Sequence, residues 1–203
     1  ALVAAGAIVL PALKSKGITI GSHIRACAGI ADSTLASDEK ILVSQLEALS
    51  KKRFAVLDEN AGQRMKEAIA AAAKDGDSVG GIIETAVTGL ESGLGEPWFD
   101  SMESLLSHVL FSIPAVKGIQ FGLGFDMASQ RGSFTNDPFT VKDGRVITVT
   151  NNNGGINGGL TNGMPLVLSC AVKPTPSIYK KQQTADFKTN ENTELSLEGR
   201  HDP

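Results

Sequence analysis

Residues 151–172 read NNNGGINGGLTNG and then MPLVLSCAV, an asparagine- and glycine-rich segment followed at once by an apolar one. The apolar part, residues 164–172, is hydrophobic on both faces, which predicts a buried strand inside a sheet. Glycine loses more backbone entropy on ordering than any other residue, so the first part is not the interior of a helix or strand. Residues 151–163 are therefore either a flexible surface loop or a loop whose backbone approaches a ligand closely.

The predicted strand leads into a second polar segment. Lys173 supplies a cation, Thr175 and Ser177 supply hydroxyls, and Pro174 and Pro176 restrict the backbone between them. This combination suits a phosphate group held by a preorganised loop, whereas the alternative is a solvated strand exit. Two loops of this kind joined by one buried strand favour a ligand-binding protein.

Outward from this region, helical and strand patterns alternate, which predicts an α+β fold. Helices are predicted over residues 2–14, 38–49, 58–76 and 99–113, and strands over residues 17–28 and 79–88. Pro11 is expected to kink or weaken the first helix. Residues 141–146 predict a hairpin with Asp143 and Gly144 in its turn. Residues 180–198 are polar and predict a mobile excursion.

Composition limits the class of protein. The chain has 203 residues, of which 41% are hydrophobic and 20% charged, and this rules out wholesale disorder. The apolar runs all fall short of the ~18 residues that a membrane helix needs. The formal net charge is −3 and the basic residues form no stripe, which disfavours nucleic acid as a partner. A single cytoplasmic domain without a membrane segment is the expectation.

Cysteine and histidine give little support for a metal site. Cys27 and Cys170 lie far apart in apolar segments and are predicted to be buried, unpaired hydrophobes. The histidines occur without zinc-binding spacing, so no metal is predicted. His23 falls on the polar face of its strand and is expected at a surface or interface. His108 is expected to be structural.

The end of the chain places three chemically different groups together. Arg200 can hold a phosphate or carboxylate, His201 can move protons near neutrality, and Asp202 can orient either neighbour or act as a base. A functional cluster and an ordinary charged chain end are both compatible with this pattern.

Taken together, several ordered blocks resemble the chorismate synthase family across essentially the whole chain. The blocks that carry the resemblance are VAAGAI (residues 3–8), GDSVGG (76–81), GLGEP (93–97), SIPAVKG (112–118), the asparagine- and glycine-rich block (151–165), KPTPS (173–177) and GRHDP (199–203). Seven blocks in the family's order are far more specific than any one of them.

The resemblance implies a lyase of the shikimate pathway of aromatic amino acid biosynthesis. The family converts 5-enolpyruvylshikimate 3-phosphate to chorismate by 1,4-anti elimination, using reduced FMN. NADPH or a separate reductase would supply the electrons for the flavin. The implied fold is a β-α-β sandwich, with long helices between antiparallel sheets, in a cytoplasmic homotetramer.

The family's functional residues map onto positions already noted. The cofactor-binding positions are Ala115, Gly158, Lys173, Pro174, Thr175, Pro176, Ser177 and Arg200. Asp202 is the catalytic candidate for proton transfer near the flavin, and His201 is a weaker partner.

Several family motifs are absent from this sequence, which sets the expected activity. The family's Gly-x-Ser-His-Gly and Arg-Pro-x-His-Ala-Asp histidine motifs are missing, as is its Arg-Ser-Ser flavin contact. His23, in Gly-Ser-His, lies at the wrong place in the block order to replace the first of these. We therefore expect a fragment, or the ordered part of a longer subunit, without turnover of its own. The alternative is an FMN- or phosphate-binding module with no lyase role.

Overall fold

The computed structural model describes residues 1–142 and 144–199, and its central feature is an antiparallel sheet. The strands are β1 (Thr19–Cys27), β2 (Ile30–Ala31), β3 (Gly81–Thr88), β4 (Val116–Phe121), β5 (Phe139–Lys142), β6 (Arg145–Thr148), β7 (Ile156–Asn157), β8 (Leu160–Thr161), β9 (Leu166–Val172), β10 (Gln182–Asp186) and β11 (Glu191–Leu195). Five of them form a sheet in the order β2-β1-β3-β9-β4, with every neighbouring pair antiparallel. The others pair as the hairpins β5–β6, β7–β8 and β10–β11.

The helices start at side-chain caps where the sequence supplies them. They are α1 (Leu2–Ser15), α2 (Glu39–Leu49), α3 (Glu59–Lys74), α4 (Met102–Leu110) and the single turn α5 (Gly132–Thr135). Asp38, Asp58 and Ser101 each accept a hydrogen bond from a backbone N–H in the first turn of α2, α3 and α4. Within the described ranges, each helix is too short or too polar to serve as a membrane span.

Helices cover both faces of the central sheet because its strands alternate two sets of apolar side chains. Val167 and Ala86 point toward Leu42 and Leu46 of α2. On the other face, Leu166, Leu168 and Cys170 pack against α4 through its side chains Met102, Leu106 and Leu110. The strand β9 lies between β3 and β4, so it is buried on both sides as its sequence predicts.

The α+β prediction is confirmed, and the helices α1–α4 and the strands β1, β3 and β9 match the predicted elements closely, whereas α5 was not predicted. The helix α1 continues through Pro11. Cys27 and Cys170 are buried and unpaired, as predicted. The predicted hairpin is β5–β6, in which Val141 pairs with Val146, while Asp143 lies outside the described residues.

The prediction of a mobile excursion over residues 180–198 is wrong, because this segment forms the hairpin β10–β11. Asp186 Oδ1 accepts a hydrogen bond from the Lys188 N–H at 2.7 Å, and the Asp186 carbonyl accepts one from Asn190 at 2.8 Å. Both strands are almost wholly exposed. The hairpin packs neither face on the core, so its sequence lacks the apolar alternation that marks a half-buried strand.

Candidate functional site

The asparagine- and glycine-rich segment (residues 151–163) is packed against the sheet rather than loose at the surface. The Gly154 carbonyl accepts a hydrogen bond from the Val167 N–H at 3.0 Å, which joins the segment to β9. Gly154 has φ +63°, and a Cβ on it would lie 2.4 Å from the Gly122 nitrogen. Only glycine fits there, so close backbone approach explains part of the composition.

One buried carboxylate, that of Asp137, holds the start of this segment. Asp137 accepts hydrogen bonds from the Thr150 hydroxyl at 2.7 Å, from the Asn152 N–H at 2.7 Å, and from the Asn153 N–H and Nδ2 at 2.8 and 2.7 Å. Burial by itself raises the pKa of this carboxyl, but these hydrogen bonds outweigh burial and lower the pKa below its ordinary value. The carboxylate therefore fixes two successive backbone amides.

The segment then presents a glycine turn between β7 and β8. Gly158 and Gly159 have φ +60° and +88°, as in the two-residue turns that connect tight hairpins. Gly158 is exposed, and no heavy atom lies within 4 Å of the position where its Cβ would be. The Gly159 carbonyl accepts a hydrogen bond from Met102 N–H at 2.9 Å, so the turn sits at the start of α4.

The segment that we call the Lys173 loop (residues 173–177) is fixed through its backbone. The Lys173 N–H donates to the Ala115 carbonyl at 2.9 Å, and Ala115 has the unusual φ of +71°. The Thr175 carbonyl accepts from Ser78 Oγ at 2.7 Å, and the Pro176 carbonyl accepts from Gln182 Nε2 at 2.9 Å.

The polar side chains of the Lys173 loop are not used in these contacts. Among the residues that the structure describes, the Lys173 ammonium and the Thr175 and Ser177 hydroxyls have no hydrogen-bond or ion-pair partner. The loop is thus held by its main chain, while one cation and two hydroxyls are available to an anion.

The structure brings some of the predicted site residues together and separates others. Ala115 and the Lys173 loop lie at the C-terminal end of β9, whereas the Gly158 turn belongs to the segment anchored at its N-terminal end. The seven residues of β9 span about 20 Å. These predicted cofactor positions therefore form two groups at opposite ends of one strand.

The predicted residues Arg200, His201 and Asp202 lie outside the described residues. The residue before them, Gly199, is described, and its carbonyl accepts a hydrogen bond from the Tyr179 hydroxyl. Tyr179 N–H in turn donates to the Gly76 carbonyl at 2.9 Å. The described chain therefore ends close to the segment that follows the Lys173 loop.

Sequence reasoning missed a buried charge cluster, and the prediction for His23 is wrong. His23 is 1% exposed, and its ring lies between the carboxylates of Asp32 and Glu84. Nδ1 donates to Asp32 Oδ2 at 2.8 Å and Nε2 to Glu84 Oε2 at 2.9 Å when the ring is protonated. The alternation of β1 places His23 opposite its isoleucines, but residues distant in sequence cover that face as well.

The charge state of this cluster follows from its partners. Burial by itself lowers the pKa of His23, but hydrogen bonds and charge from Glu84 and Asp32 raise it above its ordinary value. Asp32 also accepts from the Leu57 and Asp58 N–H groups at 2.7 and 2.8 Å, and its pKa is lowered despite burial. The His23 ring therefore lies buried between two carboxylates, and it can donate to both of them only when it is protonated.

The described ranges contain no metal-binding cluster, and the His23, Asp32 and Glu84 group is not an exception. Within residues 1–142 and 144–199, no three His, Cys, Asp or Glu side chains are arranged to hold a metal ion. His108 is exposed near the end of α4. The candidate chemistry in the described residues is therefore anion binding at the Lys173 loop and the backbone of the Gly158 turn.

Comparison with known proteins identifies the family. The family model described as chorismate synthase matches residues 1–203. The chorismate synthase of Methanosarcina barkeri is 45% identical over 201 residues, which are 99% of this chain and 54% of that protein. The chorismate synthase of Pyrococcus abyssi is 42% identical over 202 residues, again covering 54% of its length.

A solved structure agrees with the sequence relatives. A crystal structure of chorismate synthase superposes with a TM-score of 0.77 at 29% identity, covering 85% of this chain and 54% of the other. The chain spans about half the length of the curated relatives it matches. With matches over nearly all of its residues, the chain belongs to the chorismate synthase family.

Proposed function

We propose that this chain carries part of the FMN site and of the active site of a chorismate-forming lyase. The substrate is 5-enolpyruvylshikimate 3-phosphate, and the products are chorismate and phosphate. Family membership supports the reaction, and the two groups of anion-binding atoms support the cofactor. The activity of the whole enzyme belongs to relatives about twice as long as this chain.

The reaction is a 1,4-anti elimination without net redox change. The C–O bond to phosphate breaks and its electron pair leaves on the phosphate. The C6–H bond breaks, its electron pair forms the new diene, and the hydrogen leaves as a proton. Bound reduced FMN would donate electron density transiently, which eases the departure of phosphate, and would regain it as the C6 hydrogen leaves. The protein must hold two anionic molecules and limit access of water.

The single observation that carries the proposal is the Lys173 loop. Its backbone is fixed by Ser78 and Gln182, while Lys173, Thr175 and Ser177 offer a cation and two hydroxyl donors. A phosphate monoester needs this combination, and a loop ordered before binding loses little entropy when the anion arrives. The donor set therefore fits the phosphate of FMN.

The other cofactor-binding positions complete the proposal. Ala115 is hydrogen-bonded to Lys173, and the open space at Gly158 lets a flat ligand approach the backbone. Arg200 supplies a second cation beyond Gly199. Pro174 and Pro176 restrict the loop. Because the Gly158 turn and the Lys173 loop belong to segments at opposite ends of β9, we propose that they contact different parts of the bound molecules.

Asp202 and His201 are the proposed proton-handling residues. We propose that the Asp202 carboxylate would assist proton transfer at the flavin, with His201 as the weaker partner. The remaining acid–base histidines of the family would come from sequence that this chain lacks. We therefore propose that the 203 residues form one domain of a larger subunit and do not turn over substrate alone.

We also propose an assembly on the basis of family membership. A cytoplasmic homotetramer of β-α-β sandwiches, with NADPH or a separate reductase keeping the flavin reduced, is consistent with family membership. In such a sandwich the helices on the central sheet would be covered by a second sheet.

The test is an anaerobic titration of the chain with reduced FMN, with and without 5-enolpyruvylshikimate 3-phosphate. We expect saturable flavin binding that the substrate tightens. Lys173→Met should weaken binding about tenfold or more, because a charge-assisted hydrogen bond contributes about 1.5–3 kcal/mol. Lys188→Met, which removes an exposed lysine from the β10–β11 turn, is the matched control.

The outcomes separate the alternatives. Flavin binding that the substrate leaves unchanged would favour a flavin- or phosphate-binding module without a lyase role. Equal affinity of Lys173→Met and Lys188→Met would remove the Lys173 loop from the cofactor site. Chorismate formed by the purified chain would overturn the claim that it lacks turnover.

A further inference from the structure

A cavity of about 240 Å³ lies on the α2 face of the central sheet, away from the Lys173 loop. Its walls come from residues 34–37, α2, β9 and the start of the asparagine- and glycine-rich segment (residues 151–163). Most of the lining is aliphatic and includes Leu35, Leu42, Leu123, Val149, Met164 and Val167. The polar residues of the lining are Thr34, Ser37, Glu84, Thr150 and Asn151, and the Thr150 hydroxyl donates to Asp137 Oδ1 at 2.7 Å.

Among the described residues that line this cavity, Glu84 is the one with a charged side chain. One of its oxygens, Oε2, is hydrogen-bonded to His23. In the described part of the chain, Oε1 has no hydrogen-bond or ion-pair partner, and the side chain is only 16% exposed. The residual exposure of the side chain leaves Oε1 open to solvent, so this oxygen is available to a ligand that enters the cavity.

The second carboxylate of the cluster, that of Asp32, has hydrogen-bond partners of its own and is not among the residues that line the cavity. Asp32 is 6% exposed and is satisfied by His23 and by the backbone amides of Leu57 and Asp58. Arg25 lies on the same side and donates to the Asp32 carbonyl at 2.6 Å. No lysine or arginine is among the described residues that line the cavity, so Glu84 supplies the charged group of this lining.

We propose that this cavity binds a small primary alkylammonium ligand. The ammonium group donates to Glu84 Oε1 and to the neighbouring hydroxyl oxygens, and the alkyl chain packs against the aliphatic wall. A carboxylate in a mostly apolar, partly enclosed cavity attracts a cation more strongly than it would in water. The inference is independent of FMN and its substrate, both of which are anions that Glu84 would repel.

The experiment is an NMR titration of the chain with n-butylammonium and, in parallel, with n-butanol, which has the same alkyl chain but no charge. We expect saturable shifts at residues 35, 123 and 167, with n-butylammonium about tenfold tighter or more because its hydrogen bond is charge-assisted. Equal affinities would show an apolar cavity without a cation site and would overturn the proposal. Absence of saturable shifts with either probe would overturn it too.

A pair of variants checks the assigned group. Glu84→Gln should remove the preference for n-butylammonium over n-butanol, whereas Glu91→Gln, which changes an exposed glutamate outside the cavity, should keep it. A preference that survives in Glu84→Gln would overturn the assignment. Should Glu84→Gln fail to fold, the comparison of the two probes on the unchanged chain decides the proposal.

Discussion

At the scale of single residues, His23 ties together three parts of the chain that are far apart in sequence. Its ring lies on β1, Glu84 lies on β3, and Asp32 also holds the backbone of Leu57 and Asp58 just before α3. A neutral imidazole has one N–H, so it can satisfy only one of the two carboxylates. The contribution of this cluster to stability therefore depends on the proton.

The stability of the protein should depend on pH through His23. The pKa of His23 is raised on folding, so its stabilisation is complete below the unfolded-state pKa of about 6.5 and is lost as pH rises through the folded value. His23→Gln should lower the free energy of unfolding by about 3 kcal/mol at about pH 5.5, because it leaves a buried carboxylate unpaired. Urea denaturation from about pH 5.5 to 9.5 measures this difference, which should shrink as pH rises.

The matched control is His108→Gln, because His108 is exposed on α4. Its free energy of unfolding should follow that of the unchanged chain across the whole pH range. Parallel curves for His23→Gln and the unchanged chain would show that protonation of His23 does not stabilise the fold. Asp32 acts in the opposite direction: its pKa is lowered, so its contribution is lost as pH falls.

The sequence could not place His23 because strand alternation reports only which residues share a face. The same pattern fits a strand with one solvated face and a strand whose second face is covered by α2 and the chain before α3. The Lys173 loop was easier to recognise, since its cation, hydroxyls and prolines are adjacent in sequence. Long-range partners such as Glu84 leave no local signal.

At the scale of elements, Asp137 fixes the start of the asparagine- and glycine-rich segment by accepting backbone N–H groups, as an N-cap side chain does in the first turn of a helix. The carboxylate accepts the Asn152 and Asn153 amides, and the next residues pack against Gly122 and β9. This accounts for the burial of Gly154 and Gly155 in a sequence that would otherwise be a flexible loop. The glycines permit the close approach, and the carboxylate selects one conformation.

Asp137→Asn should therefore loosen this element. The amide keeps the shape of the side chain but turns one acceptor into a donor, which faces the backbone N–H groups. We expect a loss of about 2–3 kcal/mol in the free energy of unfolding, since these hydrogen bonds end on a charged acceptor. Hydrogen exchange should quicken at residues 152–159, and denaturant titration gives the global effect.

Asp186→Asn is the control for this change, because Asp186 also accepts backbone amides but lies in the exposed β10–β11 turn. Its effect should stay within that hairpin and cost about 1 kcal/mol or less. Similar losses for the two variants, or unchanged exchange at residues 152–159 in Asp137→Asn, would count against the role given to Asp137.

Elements differed in how far their sequences predicted them. The strand β9 was evident from nine consecutive mostly apolar residues, α2 from its apolar spacing, and α3 from its Asp58 cap and apolar spacing. The hairpin β10–β11 was missed because exposed strands need no apolar face, and its turn depends on one side chain, that of Asp186. The order of the strands in the sheet follows from long-range pairing that no local pattern encodes.

At the scale of the whole molecule, the chain exposes an unusual amount of apolar surface. The helix α1 has no buried residue, although its sequence is almost entirely apolar. Val3 and Ile8 are 88% and 77% exposed. Trp98 and Phe99, before α4, are also exposed. Isolated monomers rarely leave contiguous patches of this kind uncovered. Relatives about twice as long have additional sequence that could cover them.

The exposed apolar surface of α1 should make the isolated chain associate with itself. Self-association should rise with concentration, because burying α1 against another copy removes apolar area from water. Val3→Lys combined with Ile8→Lys should shift sedimentation profiles toward monomer, whereas Phe187→Lys should not. Phe187 is 93% exposed but lies alone in the β10–β11 turn, so it tests apolar exposure without a patch. If the chain stays monomeric at every concentration, the exposed apolar face of α1 does not drive self-association. If all substitutions have equal effects, the contact between copies does not involve α1.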